Sequence, residues 1–232
     1  MDAPKHIAII MDGNRRWAKS NSLPIRNGHK EGANTLKNII QASIELGVEY
    51  LTVYAFSSEN WNRDSDEVNQ LTNMLNDYLD NDINELIKKS VFVDIIGNLS
   101  KFSDKTVNKI KKIKNLCEGI EKKSIHLTIA LSYGAREEII NAVKKILSQE
   151  EKLDIETINE FYFSNFLYTN NIPDPDLLIR TGSERRLSNF LLWQVAYSEL
   201  FFSNKYWPEF SKKDLEKAII EYNKRERRYG SN

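Results

Sequence analysis

An acid and two arginines stand within five residues of one another at Asp12, Arg15 and Arg16, directly after an apolar run, in the stretch HIAIIMDGNRRWAK from His6 to Lys19. An ordinary strand end needs only a turn residue or two, yet this one carries charges of both signs beside the Trp17 ring. Two more polar, arginine-bearing stretches follow apolar runs: SSENWNR (Ser57–Arg63) and RTGSERRLS (Arg180–Ser188). Arginine forks beside glycine and serine suit anionic oxygens, phosphate and diphosphate above all. Gly13 and Gly182 let backbone N–H groups approach such a ligand closely. A carboxylate repels phosphate, so Asp12 makes sense there if a divalent cation bridges the two, as Mg²⁺ does with one or two carboxylates plus substrate oxygens. Asp12 then holds the metal while Gly13, Asn14 and Arg16 hold the phosphates. Asp12 equally fits an Asx-turn or helix N-cap that does no more than end the strand.

Nucleotide signatures are absent: neither G-x-x-x-x-G-K-[ST] nor G-x-G-x-x-G occurs. His6 and His126 fall inside apolar strands and read as core, whereas His29, in RNGHKEG at a loop-to-helix boundary, is placed for a ligand. No Ser/His/Asp arrangement is legible from spacing. The remaining unusual feature is apolar. A wide stripe from Val68 to Ile87 at helical spacing follows the polar stretch SSENWNRDSDE. A diphosphate head group beside a long apolar slot points to a polyprenyl-type substrate.

The elements that must position these residues alternate along the chain. Apolar runs at His6–Met11, Tyr50–Phe56, Val91–Ile96, Ile125–Leu131 and Asp176–Ile179 have strand length, and several are apolar on both faces, as in a covered parallel sheet. Between them, helical spacing recurs at Leu36–Ile44, Val68–Ile87, Val107–Ile120 and Ile139–Ile146, with Asp104 and Ser211 where N-caps belong. This alternation predicts one α/β domain over residues 1–232, an open, mostly parallel sheet flanked by helices. Ligands of such sheets bind at the carboxyl ends of the strands, where the three arginine-bearing loops would converge. Any one of those loops alone could be a solvated connection.

Composition narrows the function classes. Lys plus Arg equals Asp plus Glu at 33 each, so the global basic field of a nucleic-acid binder is missing and an anion site must be built locally. The single cysteine, Cys117, excludes an internal disulfide and a cysteine-cluster metal site, and a reducing compartment is the plain expectation. The first apolar run is too short for a signal peptide, and no run reaches membrane-spanning length. The expectation is a cytoplasmic protein whose contact with a membrane, where made, is peripheral and at its inner face. The tail KRERRYG is the one dense charge cluster, and a solvated last helical turn would explain it.

Taken together, HIAIIMDGNRRWAK, GHKEGA, YAFSSENWNR, LLIRTGSERRLSNFLLWQVAYSELFF and RERRYG resemble the cis-prenyltransferase family, its bacterial undecaprenyl diphosphate synthases above all, in family order and over nearly the whole chain. The resemblance implies that isopentenyl diphosphate units condense onto an allylic diphosphate such as farnesyl diphosphate. Each step makes a Z double bond, and the end product is a long-chain polyprenyl diphosphate of the undecaprenyl kind, the lipid carrier precursor of bacterial cell-wall synthesis. It implies Mg²⁺, a homodimer, and a greasy product that brings the enzyme to the membrane.

Carried over by residue, it makes Asp12 the essential carboxylate and a metal ligand, with Glu199 the second metal carboxylate. Gly13, Asn14, Arg15, Arg16, Trp17 and His29 match the allylic-diphosphate site. Ser57, Ser58, Glu59, Asn60, Trp61 and Arg63 match the loop where condensation and proton removal occur. There Asn60 is the family's candidate in proton abstraction, though an amide is too weak a base to act other than by orienting a diphosphate oxygen or a water. Glu67 matches an acid at the start of a mobile helix. Arg180, Arg186 and Ser188, with Leu187 between them, match the isopentenyl diphosphate site, and Arg228 and Gly230 match a tail that reaches the partner subunit's site.

Two departures stand out. The family often has glycine where Arg15 stands. Its arginine four residues before the histidine of GH is Ile25 here, with Arg26 one position closer. Trans-prenyl diphosphate synthases use the same substrates, but they need Asp-Asp-x-x-Asp pairs, which Asp77, Asp80 and Asp82 do not form. A non-catalytic supporting subunit would lack the acid and arginines that Asp12, Arg16, Arg180 and Arg186 supply.

Overall fold

Five residues buried on both faces, His6–Ile10, form β1 at the middle of the sheet. The computed structural model describes residues 2–149 and 155–225. After β1 come α1 (Asn14–Ser20) and α2 (Ile25–Glu45), then β2 (Tyr50–Ser57), a 3₁₀ turn over Ser58–Asn62, and α3 (Ser65–Asp77). The chain continues through α4 (Ile83–Lys88), β3 (Val91–Ile96), α5 (Asp104–Glu118), β4 (Ile125–Tyr133), α6 (Ala135–Leu147) and α7 (Glu160–Ser164). It closes with β5 (Leu177–Arg180), β6 (Glu199–Phe202) and α8 (Lys212–Asn223). The six strands pair in the order β3-β4-β2-β1-β5-β6, every pairing parallel. A parallel sheet needs cover on both faces, which is why its strands are apolar on both sides.

Ile7, Ile9, Leu51, Val53, Leu127 and Ile129 face one core with side chains of α2, α4, α5 and α8. Ala8, Ile10, Ala130, Tyr133 and Leu178 face the other, which is closed by Phe190, Leu191 and Val195 from an irregular segment as well as by α6. His6 belongs to the core as expected, its two ring nitrogens engaged at 2.6 Å with the Pro173 carbonyl and at 2.8 Å with the Thr52 hydroxyl. The His126 ring lies against Phe92 and Tyr50.

The sheet has a strand that sequence patterning did not expect. The four residues of β6 sit inside the long apolar stretch that follows Ser188, where strand and helix cannot be told apart by periodicity. The cap of α5 is Ser103 rather than Asp104, since the Ser103 hydroxyl accepts the Thr106 N–H. Ser211 does cap α8, reciprocally with Asp214. The expected continuous helix from Val68 to Ile87 is interrupted by a π turn over Tyr78–Asp82. There Asn81 and Asn84 side chains donate to the Asp77 and Asp80 carbonyls, which lie at the altered turn. Asp80, which is exposed, and Asp82 pair with Lys109 and Lys37. On α6 the buried face is Ala135, Glu138, Ala142 and Ile146, which leaves Ile140, Val143 and Leu147 exposed.

Candidate active site

Because the strands are all parallel, the loops after β1, β2 and β5 emerge on one edge, with β1 between the other two. Strand order turns at β1, the position where open α/β sheets bind ligands. Asp12, Asn14, His29, Ser57, Glu59, Asn60, Arg63, Arg180 and Ser188 line one cavity of ≈ 540 Å³ there. A neighbouring cavity of ≈ 310 Å³ adds Gly13, Arg15, Arg16 and Lys19 around the same Asp12 and His29. Thus the three loops do converge.

The guanidiniums are arranged around three carboxylates. Asp12 accepts Arg180 at 2.8 Å and is ion-paired with Arg16 at 3.0 Å. Glu67, in the first turn of α3, accepts Arg63 at 2.7 Å and is ion-paired with Arg15 at 2.9 Å. Glu184 accepts Arg186 at 2.5 Å and lies 3.6 Å from Arg16. Arg180 is the buried member of the set, with 4 % of its side chain exposed, and it also donates to the Arg186 carbonyl and the Ser188 hydroxyl. Gly13 and Gly182 have φ of 112° and 85°, which fits their role as close-approach positions, and a Cβ at Gly182 would meet Arg16 Nη2 at 2.6 Å. The Thr181 hydroxyl donates to the Asp12 carbonyl at 2.7 Å and fixes the turn that carries the acid. The Asx-turn alternative for Asp12 fails, because both of its carboxylate oxygens face arginines.

His29 is half-buried among these cations. Burial, and then the Arg63 charge, push it down to about 4. It is therefore neutral near pH 7, and its Nε2 has no protein partner, which leaves a ring nitrogen free at a cavity that suits an anionic ligand. Asn14 Oδ1 and Arg180 Nε are likewise buried and unpartnered. Unsatisfied buried polar atoms are rare in native proteins, and clustered here they mark a ligand site. Asn60 is oriented by its cap, with its oxygen accepting the Ser57 N–H at 3.1 Å, so its amide N–H groups are the ones left to donate.

Other expected site residues lie elsewhere. Arg26 lines a separate cavity of ≈ 590 Å³ with Lys30 and Lys37, not the one with His29. It therefore does not stand in for the arginine missing at Ile25. Trp61 points inward, donating to Ser132 at 2.8 Å and packing on Phe56 and Phe102. Trp17 is half-buried on α1, and Leu187 packs on the second core. Ser58 sits against Gly134, where an added Cβ would meet its hydroxyl at 2.5 Å. Glu199 opens β6, opposite Leu177 at the amino end of the sheet, so within one chain it is not brought to Asp12; it pairs with Arg225. Arg228 and Gly230 lie outside the described residues. Sequence reading missed Glu184 and Asn189, although a lone acid among the arginines of RTGSERR was a signal for the first.

An apolar slot of ≈ 140 Å³ adjoins the diphosphate-sized cavity and shares Met11, Asn14, His29, Ala55 and Leu71 with it. Its walls come from α2 (Leu36), α3 (Met74, Leu75), Tyr78, Phe56, Ile129 and Leu131. The family model described as "Putative undecaprenyl diphosphate synthase" matches residues 10–230. The chain belongs to this cis-prenyltransferase family. The chain is 47% identical over 229 residues to an isoprenyl transferase of Clostridium perfringens, covering 98% of this chain and 90% of that one. A ditrans,polycis-undecaprenyl-diphosphate synthase ((2E,6E)-farnesyl-diphosphate specific) of Micrococcus luteus is 45% identical, covering 98% and 91%. Lavandulyl diphosphate synthase from Lavandula x intermedia, solved in complex with dimethylallyl diphosphate, superposes with TM-score 0.94 at 37% identity over 99% of both chains. A "probable undecaprenyl diphosphate synthase" from Campylobacter jejuni gives 0.81 at 32% over the whole of both. The fold class read from the sequence is that of the cis-prenyltransferases.

Proposed function

We propose that this cis-prenyltransferase condenses isopentenyl diphosphate onto farnesyl diphosphate, with Z geometry, to give a long-chain polyprenyl diphosphate of the undecaprenyl type for cell-wall synthesis. The observation that carries the reading is the junction of an arginine-ringed cavity with an apolar slot through shared residues, His29 and Ala55 among them. In each step the allylic C–O bond breaks, a C–C bond forms to the isopentenyl alkene, and one proton leaves. In this reading Arg16, Arg15 and the Gly13 backbone hold the leaving diphosphate, and Arg180, Arg186 and Ser188 hold that of isopentenyl diphosphate. Neutralising charge as it develops on the leaving group is the main contribution such a site makes. Asn60 would donate to a diphosphate oxygen and orient it to take the proton. The farnesyl-diphosphate specificity named for the Micrococcus luteus relative supports farnesyl diphosphate as primer.

Mg²⁺ belongs to the same proposal. Among the described residues no three His, Cys, Asp or Glu side chains cluster as a protein-only metal site. Mg²⁺ asks for less, keeping water and taking substrate phosphate oxygens with one or two carboxylates. Asp12, partly exposed on the cavity, fits that role, and when bound the metal would add positive charge at the leaving diphosphate. A homodimer is supported by the exposed apolar side chains of α6 and α7, where Leu147 and Phe161 are 73 % and 80 % exposed. No helix among the described residues is long and apolar enough to cross a membrane, which is compatible with a cytoplasmic enzyme meeting the inner face of the membrane through its product. Incubation with farnesyl diphosphate and labelled isopentenyl diphosphate, with and without Mg²⁺, tests the reading. Products should extend in five-carbon steps only with the metal, and absence of incorporation would overturn it.

A further inference from the structure

From the loop after β5 one side chain, Asn189, which lines the same cavity, reaches across to the loop after β2. Asn189 follows Ser188 in left-handed backbone, φ 61° after 47°, a conformation asparagine adopts more readily than most residues. The turn aims its side chain back across the cavity. Its Nδ2 donates to Glu59 Oε1 at 3.0 Å, on the 3₁₀ turn that holds Asn60. Its Oδ1 accepts the Arg136 N–H at 2.9 Å, and its backbone carbonyl accepts the Ala135 N–H at 2.8 Å, so both of its oxygens sit on the first turn of α6. The junction has no slack. A Cβ at Gly134 would come within 2.5 Å of Ser58 Oγ and 2.8 Å of Asn189 Nδ2. Partial burial pushes the Glu59 carboxyl up, but hydrogen bonds from Asn189, from its own backbone and from Ser57 and Ser58 outweigh this and hold it below its usual range.

We infer that Asn189 is a positioning residue that braces the β2 loop against the β5 loop, with the start of α6 as anchor. It thereby fixes the separation of the two diphosphate-bearing substrates. This rests on the condensation reading above. The physical reason is geometric. The reacting carbons belong to two molecules held by different loops, and a misplacement of about 1 Å between them costs on the order of 10² in rate. The anchor matters because α6 follows β4, an interior strand of the sheet, and belongs to neither loop.

The test is a reciprocal exchange. Asn189→Asp keeps an acceptor for Arg136 and tolerates left-handed backbone, but it replaces the donor to Glu59 with a like charge. Its kcat with farnesyl and isopentenyl diphosphates should fall at least tenfold, with KM for each substrate within about threefold of wild type. Adding Glu59→Gln restores a donor–acceptor pair with the direction reversed and should recover at least fivefold of the loss. Amide hydrogen exchange reads the brace without turnover, and in Asn189→Asp the segment 57–62 should exchange faster. A kcat within twofold of wild type, a double variant no faster than the single, or faster exchange confined to Ala135 and Arg136 would make Asn189 a helix cap only. Failure of the wild type to condense the two substrates would overturn the functional reading instead, and the exchange measurement would still decide the brace.

Discussion

The Asp12 carboxylate accepts the Arg180 guanidinium at 2.8 Å, which ties the end of β1 to the end of β5 across 168 positions of sequence. Arg180 is buried and Asp12 is partly exposed, and both line the cavity. The residue proposed for the chemistry is therefore also part of the joint between the two loops.

Asp12→Asn should lower single-turnover condensation by about 10²–10³, the 3–4 kcal/mol expected when a group that stabilises transition-state charge is lost. It should also lower stability, because a charged hydrogen bond to a buried arginine is weakened, by about 1.5–3 kcal/mol. Rapid-quench kinetics and urea unfolding measure the two effects separately. A rate within threefold of wild type would remove Asp12 from the mechanism.

Arg180 and Arg186 share a loop but should behave differently. Arg186 is 60 % exposed and, among the described residues, is held by Glu184, so Arg186→Ala should raise KM for isopentenyl diphosphate by about 10- to 100-fold with thermal stability unchanged. Arg180→Ala should raise the same KM and also unfold at lower temperature, since Asp12, Ser188 and the Arg186 carbonyl all lose their donor. Equal rises in KM for the allylic primer would show that the two diphosphate sites are wrongly divided.

His6, His29 and His126 each sit at about 4, lowered first by burial. Above the ordinary value of about 6.5 they are neutral folded or unfolded and stability does not respond. Between 6.5 and 4 the unfolded chain takes up protons that the folded chain refuses, so stability falls as pH falls, by on the order of 2 kcal/mol per histidine. Urea unfolding at pH 7 and pH 4.5 should show this loss, and His29→Gln should lose about one histidine's share less. Parallel curves for the variant and the wild type would mean that His29 takes its proton folded as readily as unfolded.

Ala55 lines both the arginine-ringed cavity and the apolar slot, where a growing chain would pass from one to the other in the proposed reaction. The slot, at ≈ 140 Å³, is near the size of a cavity that holds one benzene, so its walls must part for a prenyl tail and part further as the tail grows. Ala55→Leu should make that parting costlier by about 1–3 kcal/mol and accumulate shorter polyprenyl diphosphates while the first condensation stays fast. Chromatography of the dephosphorylated products decides it. An unchanged length distribution would place Ala55 off the path.

What the sequence disclosed follows from the range of the interactions involved. Strand runs apolar on both faces identify a covered parallel sheet, and that topology alone brings Asp12, Asn60 and Arg180 to one edge. Residues whose role depends on register were less accessible. Glu199 reads as one more acid near an aromatic run, and only the pairing of β5 with β6 puts it at the far end of the sheet. Arg26 faces away because α2 already begins at Ile25, so a shift of one residue turns a side chain by about 100° on a helix of 3.6 residues per turn. Asn189 gave no signal at all, since its partners Glu59 and Arg136 are 130 and 53 positions distant.

Among the described residues Arg15, Arg16, Arg63, Arg180 and Arg186 are paired with Glu67, Asp12 and Glu184, while Arg180 Nε is left unpartnered. In the proposed reaction each incoming diphosphate would take the open donors and compete with those acids for the rest. A singly charged anion offers a guanidinium no more than the carboxylate it would replace, whereas a diphosphate brings several charges on one rigid group and can satisfy two guanidiniums at once. Selectivity against the cell's abundant small anions would thus be set before any substrate arrives, by the acids that keep the seats taken.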